Sequence, residues 1–256
     1  MIKKIFTTEF DLFNLSVKRT QIPEAPKHRD FKGMVVTKPW GYEYLMLENA
    51  FVAVWILFLK PDARTSMHCH PKKKTSLLVL EGVVNTSSLD TQFELKALDG
   101  LVIDRGVFHS TQAASKEGAF IMEIETPPQK TDLVRLKDEY GRENKAYEGD
   151  ESLITDLKDF EYSDFHKELE SSERRVIEKL IKSRKINFHS ENSWKDFLSA
   201  LHSSPFRIVS LLDKNLKIQG LEMAMEAGEI FEAKWLIENI GDIKPPQGEF
   251  CALTIE

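Results

Sequence analysis

The sequence predicts a mainly β protein, a small barrel followed by a mixed helical and β appendage. Three observations predict it. Short runs of valine, isoleucine, leucine and phenylalanine recur between turn residues from residue 31 to about 125. A split histidine set, His68-Cys69-His70 and then His109, lies inside those runs. Beyond residue 149 the pattern becomes helical and then strand-like again.

Residues 1–30 read as an approach segment, with 21–30 rich in proline and charge and placed at the surface. The barrel with its wrapping tail is expected over 31–148. Its strands are expected near 33–37, 42–47, 51–60, 64–69, 75–81, 83–88, 91–96, 101–104, 108–113 and 119–125. Pro39-Trp40-Gly41, Pro61-Asp62, Pro71, Gly82, Asp99-Gly100, Arg105-Gly106 and Glu117-Gly118 separate them. The apolar run 51–59 reads as a strand buried on both faces. Thr126-Pro127-Pro128 ends the last strand, and the charged stretch to about Tyr147 is expected to wrap the barrel surface.

The appendage is expected over 149–256. Phe165, Leu169, Val176, Leu180 and Ile181 fit an amphipathic helix over 164–185. Ser190 or Ser193 is a candidate cap for a shorter helix through Ala200, burying Trp194, Phe197, Leu198 and Leu201. Strand pattern resumes from Phe206, with Asp213-Lys214-Asn215 as a hairpin turn, and the chain ends on a strand-like run from Phe250.

Composition narrows the function classes. Of 256 residues, 41% are hydrophobic and 30% charged, which suits a globular protein with a sizeable core. The net charge of −6 argues against nucleic acid as a general partner. Two distant cysteines, Cys69 and Cys251, make no disulfide framework, so a reducing, cytoplasmic setting is expected. Thr7, Thr8, Glu9 and Asp11 interrupt the N-terminus before any signal-like apolar core develops. The longest apolar run is too short to span a bilayer, so no membrane role is expected.

Side chains alternate along a strand, so His68 and His70 share one face. A third imidazole from His109 can close a three-nitrogen site for a divalent metal such as zinc, manganese, nickel or iron. Cys69 points the other way and reads as a small core residue. His28, His166, His189 and His202 lack such framing and read as structural or surface residues.

Together, H-x-H, Gly82 and a glycine turn before His109 resemble the two-part motif of the cupin superfamily. The glutamate of that motif falls on Thr75, which leaves three histidines with water or substrate to complete the shell. The flanks, Lys38-Pro39-Trp40-Gly41 before the barrel and Glu123-Ile124-Glu125 after it, add to the likeness. So does Asp132-Leu133-Val134-Arg135, followed by an acidic pair and Tyr140-Gly141-Arg142. These flanks resemble the cupin domain of type II mannose-6-phosphate isomerases over roughly residues 35–145.

The resemblance implies a cupin double-stranded β-helix and a homodimer. It implies a metal-dependent aldose–ketose isomerase or epimerase acting on a sugar phosphate or sugar nucleotide in polysaccharide or nucleotide-sugar biosynthesis. Such chemistry needs a base beside the metal, and Glu123 or Glu125 is the candidate. Their alternation with Met122 and Ile124 fits either an inward pair or an outward one. Phosphate needs fixed positive charge. Lys72, Arg64, Arg105 and Arg135 are candidates, and Lys74 is the preferred functional member of the lysine run, a solvated loop being the alternative. Trp40 either stacks on a sugar ring or plugs a turn. Two other functions stay open, a non-catalytic sugar-phosphate binding cupin and a three-histidine iron dioxygenase.

Overall fold

The computed structural model describes residues 1–18, 29–143, 149–171, 176–219 and 224–256. Its barrel strands are β1 Ile2–Ile5, β2 Val35–Lys38, β3 Gly41–Glu48, β4 Ala53–Leu59, β5 Met67–Cys69 and β6 Lys74–Glu81. They continue with β7 Val83–Ser87, β8 Gln92–Lys96, β9 Gly100–Ile103, β10 Ser110–Ala113, β11 Ala119–Thr126, β12 Val134–Lys137 and β13 Leu153–Ile154. Helix α1, Glu9–Lys18, follows β1.

One eight-stranded sheet runs β1-β9-β6-β11-β4-β3-β2-β13. Opposite it lie the small sheets β10-β7-β8 and β12-β5. Bridges at Arg64–Gln112 and His68–His109 stitch the two small sheets together. The walls enclose an apolar interior that includes Leu45, Trp55, Leu57, Val79, Val84, Leu95, Ile103 and Ile121. The chain is thus mainly β, as the sequence predicts, with one large sheet facing two small ones.

The N-terminal segment takes part in the barrel. Strand β1 pairs in parallel with β9, from Ile2 opposite Gly100 to Ile5 opposite Ile103. The buried Asp11 of α1 accepts hydrogen bonds from the Thr8 and Phe108 amides, at 2.9 Å each. Most of the proline-rich stretch, 21–28 and with it His28, lies outside the described residues.

The C-terminal unit contains α2 His166–Ser171, β14 Val176–Ile181, β15 Arg184–Glu191, α3 Trp194–Ser203, β16 Ile208–Leu211, β17 Leu216–Ile218 and β18 Ala224–Met225. It continues with β19 Ile230–Glu232, α4 Ala233–Glu238, β20 Ile243–Lys244 and β21 Phe250–Ile255. Its larger sheet runs β14-β15-β21-β16-β19. That sheet covers the outer face of the barrel sheet, so Val54, Ile56, Met122 and Ile124 pack with Ile186, Phe188, Leu253 and Ile255. Central barrel strands therefore read as continuous apolar runs, as 51–59 does.

Three expectations need correction. The helix expected over 164–185 stops at Ser171, and Val176–Ile181 instead forms a hairpin with Arg184–Glu191. Ile177 and Ile181 are four apart, an even spacing that a strand satisfies as well as a helix does. The outer barrel face buries both and decides for the sheet. Asp213-Lys214-Asn215 does not close a hairpin, because β16 and β17 belong to different sheets. Val134–Lys137 does not simply wrap the surface but pairs with β5. The helix Trp194–Ser203 is capped as expected, with Ser193 accepting from the Asp196 amide at 3.2 Å.

Candidate metal centre

Strand β5 and the turn before β10 bring the three histidines together. His68 and His109 exchange backbone hydrogen bonds, His68 N–H to His109 O at 3.0 Å and His109 N–H to His68 O at 2.7 Å. His70 follows β5, and its carbonyl accepts the Gly106 amide at 2.8 Å. Gly106 has φ +80°, a turn that suits glycine. The three rings sit with centroids 4.5–5.5 Å apart.

Each ring is oriented by a backbone carbonyl. The Nδ1 atoms lie against carbonyl oxygens, His68 to Ser66 at 2.7 Å, His70 to Asp132 at 2.5 Å and His109 to Val107 at 3.0 Å. A carbonyl only accepts, so each Nδ1 donates and each Nε2 carries a lone pair. The ligand atoms converge within 4.8 Å of one another. His70 Nε2 is buried and has no hydrogen-bond partner.

Burial is the main force holding all three rings neutral. It acts with the His109 ring on His68, and with the Lys73 ammonium and both other rings on His70, holding each well below its ordinary value. It brings His109 down to about 4. Three neutral imidazoles with convergent lone pairs, one of them orphaned, fit a divalent cation with open positions. Thr75 is fully buried, and its Oγ1 makes no hydrogen bond.

The histidines open onto a cavity of about 70 Å³. Its far wall is β11. Ile121, Glu123 and Glu125 face inward, while Phe120, Met122 and Ile124 pack outward. Glu123 sits opposite Trp55 on β4 and Leu77 on β6, and Glu125 opposite Thr75.

The two carboxyl groups titrate apart. Lys73 Nζ lies 2.5 Å from Glu125, and Lys130 lies 3.4 Å from Glu125 and 3.1 Å from Glu43. Burial would raise Glu125, but the Lys130 and Lys73 ammoniums overcome it and hold Glu125 below its ordinary value. Burial pushes Glu123 up to about 7, against the pull of Lys130 and with the Glu125 charge helping. Lys130 also lies 3.7 Å over the Trp55 ring.

Among the residues expected from sequence, His68, His70, His109, Glu123, Glu125, Arg135 and Trp40 line this cavity. Arg135 arrives because it pairs with His68 across β12 and β5. Lys74 and Arg105 do not line it; they bond carboxylates of the C-terminal unit. Lys72 offers its amide to Asp132 at 2.7 Å, and Arg64 bonds Gln112 at an exposed position.

Sequence reading preferred Lys74 to Lys73 within the lysine run and gave no role to Lys38, Lys130, Glu43, Arg142 or Asp132. Lys73 was hidden in the lysine run, where period two now separates it from Lys74. Lys38 and Arg142 sit in the flanking motifs that carried the resemblance. Asp132 orients His70 through its carbonyl and binds the Lys72 and Lys73 amides through its carboxylate. Lys130 and Glu43 left no separate signal in the sequence.

No family model matches the chain. Over 128 residues, 49% of its length, the chain is 25% identical to a mannose-1-phosphate guanylyltransferase of Klebsiella pneumoniae, and the match spans 26% of that protein. Among solved structures it is similar to the capsular polysaccharide assembling protein CapF from Staphylococcus aureus, with 14% identity and a TM-score of 0.36 over 41% of this chain and 34% of that one. A conserved protein with a double-stranded β-helix domain from Klebsiella pneumoniae aligns over 43% of this chain and 90% of its own, at 17% identity and a TM-score of 0.35. KdgF from Halomonas sp. aligns over 36% and 84%, at 12% identity and a TM-score of 0.34. No helix among the described residues is long and apolar enough to cross a membrane.

Proposed function

We propose that the chain is a metal-dependent enzyme acting on a phosphorylated sugar, an aldose–ketose isomerase or epimerase in polysaccharide or nucleotide-sugar biosynthesis. One observation carries the reading. Three neutral imidazoles converge on a cavity that also holds a carboxyl group poised near neutrality. The partial likeness to a guanylyltransferase of a mannose phosphate supports the substrate class. The same reading takes the protein as a cytoplasmic homodimer.

His68, His70 and His109 would hold the metal. A bound divalent cation supplies polarisation of the sugar carbonyl and stabilises charge as the neighbouring carbon loses its proton. Glu123 is the base in this reading. With its carboxyl at about 7, it takes a proton from one carbon and returns it to the next without a large mismatch in either direction. Burial keeps the Glu123 carboxyl raised, and Glu125, held as an anion by Lys130 and Lys73, adds to it. Lys38, Lys73, Lys130, Arg135 and Arg142 outnumber Glu43, Glu123 and Glu125 around the cavity, so the wall favours an anionic substrate. Apolar Leu57, Leu77 and Ile121 limit water beside the base.

Elemental mass spectrometry of the purified protein and of His109→Ala tests the centre. Near-stoichiometric metal in the first and none in the second is expected. Transfer of deuterium from solvent into a hexose or pentose phosphate then tests the reaction, and no exchange with any of them refutes the isomerase. A second reading, an iron dioxygenase, is favoured by a donor cluster of three histidines with Thr75 in the glutamate position. It predicts bound ferrous iron and oxygen consumption. Ligand binding with neither metal nor turnover identifies the non-catalytic binder.

A further inference from the structure

We propose that Glu226 and Glu229 of the C-terminal unit are positioning residues for the histidine centre, clamping from behind the two loops that carry His70 and His109. The proposal rests on the metal-centre reading above. It gives the C-terminal unit a part in that centre.

The loop between β18 and β19 reaches the barrel at three points, each next to a residue of the centre. Lys74 Nζ donates to Glu226 at 2.9 Å and to Glu229 at 2.7 Å. Lys74 directly follows Lys73, the partner of Glu125. Arg105 Nη2 donates to Glu226 at 2.8 Å, and Arg105 Nε donates to the Lys72 carbonyl at 3.2 Å. Arg105 immediately precedes Gly106, whose amide bonds the His70 carbonyl. Thr126 Oγ1 donates to the Ala227 carbonyl at 2.9 Å, one residue after Glu125.

The clamp is buried at Glu229 and Lys74, while Glu226 and Arg105 keep about a third of their side chains in solvent. Glu229 is 3% exposed and also pairs with Lys4 of β1. Gly228 has φ +81°, and a Cβ there would sit 2.2 Å from Thr126 Oγ1. Two carboxylates therefore neutralise three cations drawn from β1, β6 and the turn before His109. Removing both carboxylates leaves the largely buried Lys74 without its partners, and the two loops lose their common anchor. Residues outside a ligand set that fix its orientation alter metal affinity by roughly 10–100-fold.

The test titrates Co²⁺ against a competing chelator, with backbone amide exchange measured on the metal-free proteins. Wild type is compared with Glu226→Gln, with the Glu226→Gln/Glu229→Gln double variant and with Glu168→Gln. The last breaks a Lys179 pair confined to the C-terminal unit. The double variant is expected to bind Co²⁺ about 10-fold more weakly. Its exchange should accelerate at Lys72, Lys73, Gly106 and His109 but not along β3 and β4, with Glu168→Gln like wild type. Unchanged affinity and unchanged protection in a folded double variant overturn the proposal. If wild type binds no Co²⁺, the metal-centre reading fails, and the exchange pattern alone decides the clamp. If the double variant does not fold, Glu226→Gln decides, because Glu229 keeps its bonds to Lys4 and Lys74.

Discussion

Replacing Glu123 by glutamine should stabilise the protein, and the gain should grow with pH. Glutamine keeps the side chain's shape and removes its titration. In the folded chain the carboxyl is held at about 7, against 4.5 for the free side chain. The difference, 7 − 4.5, is about 2.5 pH units, and at 1.36 kcal/mol per unit it amounts to about 3 kcal/mol. The sign follows from the raised folded value. Below pH 4.5 both states are protonated and nothing is lost. Stability then falls as pH rises through 7, because the buried group must ionise. At pH 8 the wild type therefore carries nearly the whole of that cost, about 3 kcal/mol, and at pH 5 less than about 1 kcal/mol. Urea denaturation of chelator-treated protein at both pH values should show Glu123→Gln more stable by those amounts, with an unchanged slope against urea. A gain that does not grow between pH 5 and pH 8, or a loss at pH 8, refutes the buried, raised carboxyl. The same variant should lose substrate proton exchange, so stability would rise as activity falls.

Three further outcomes follow from the cavity and its surroundings. Lys73→Met strips the close partner from buried Glu125, leaving Lys130 at 3.4 Å, and should cost about 3 kcal/mol by urea denaturation. Arg135→Ala should raise KM for a phosphorylated sugar by about 10-fold or more and leave the unphosphorylated sugar's KM unchanged, as steady-state kinetics would show. Gly228→Ala places a Cβ at φ +81° against Thr126 and should lower stability by about 2 kcal/mol in thermal melts.

The residue pattern by itself determined the strand-rich fold and the shared face of His68 and His70, while the bridge between His68 and His109 brought in the third ring. The fold and the shared face follow from local rules. Period-two alternation sets facing, turn residues set strand ends, and H-x-H puts two imidazoles on one side. The cap at Ser193 was legible for the same reason, since its hydrogen bond reaches only to Asp196.

What tertiary structure alone decided depended on distant partners. Residues 176–181 became a strand because a barrel face was there to bury Ile177 and Ile181. The facing of Glu123 and Glu125 could not be read from alternation with Met122 and Ile124, because the C-terminal sheet buries β11 on its outer side as well. Among the three lysines after His70, Lys73 turned inward to Glu125 and Lys74 outward to Glu226 and Glu229, a choice made by residues 52 to 155 positions away. A carboxyl near neutrality beside one held ionised is likewise a property of burial and neighbouring ammonium groups, which no local pattern encodes.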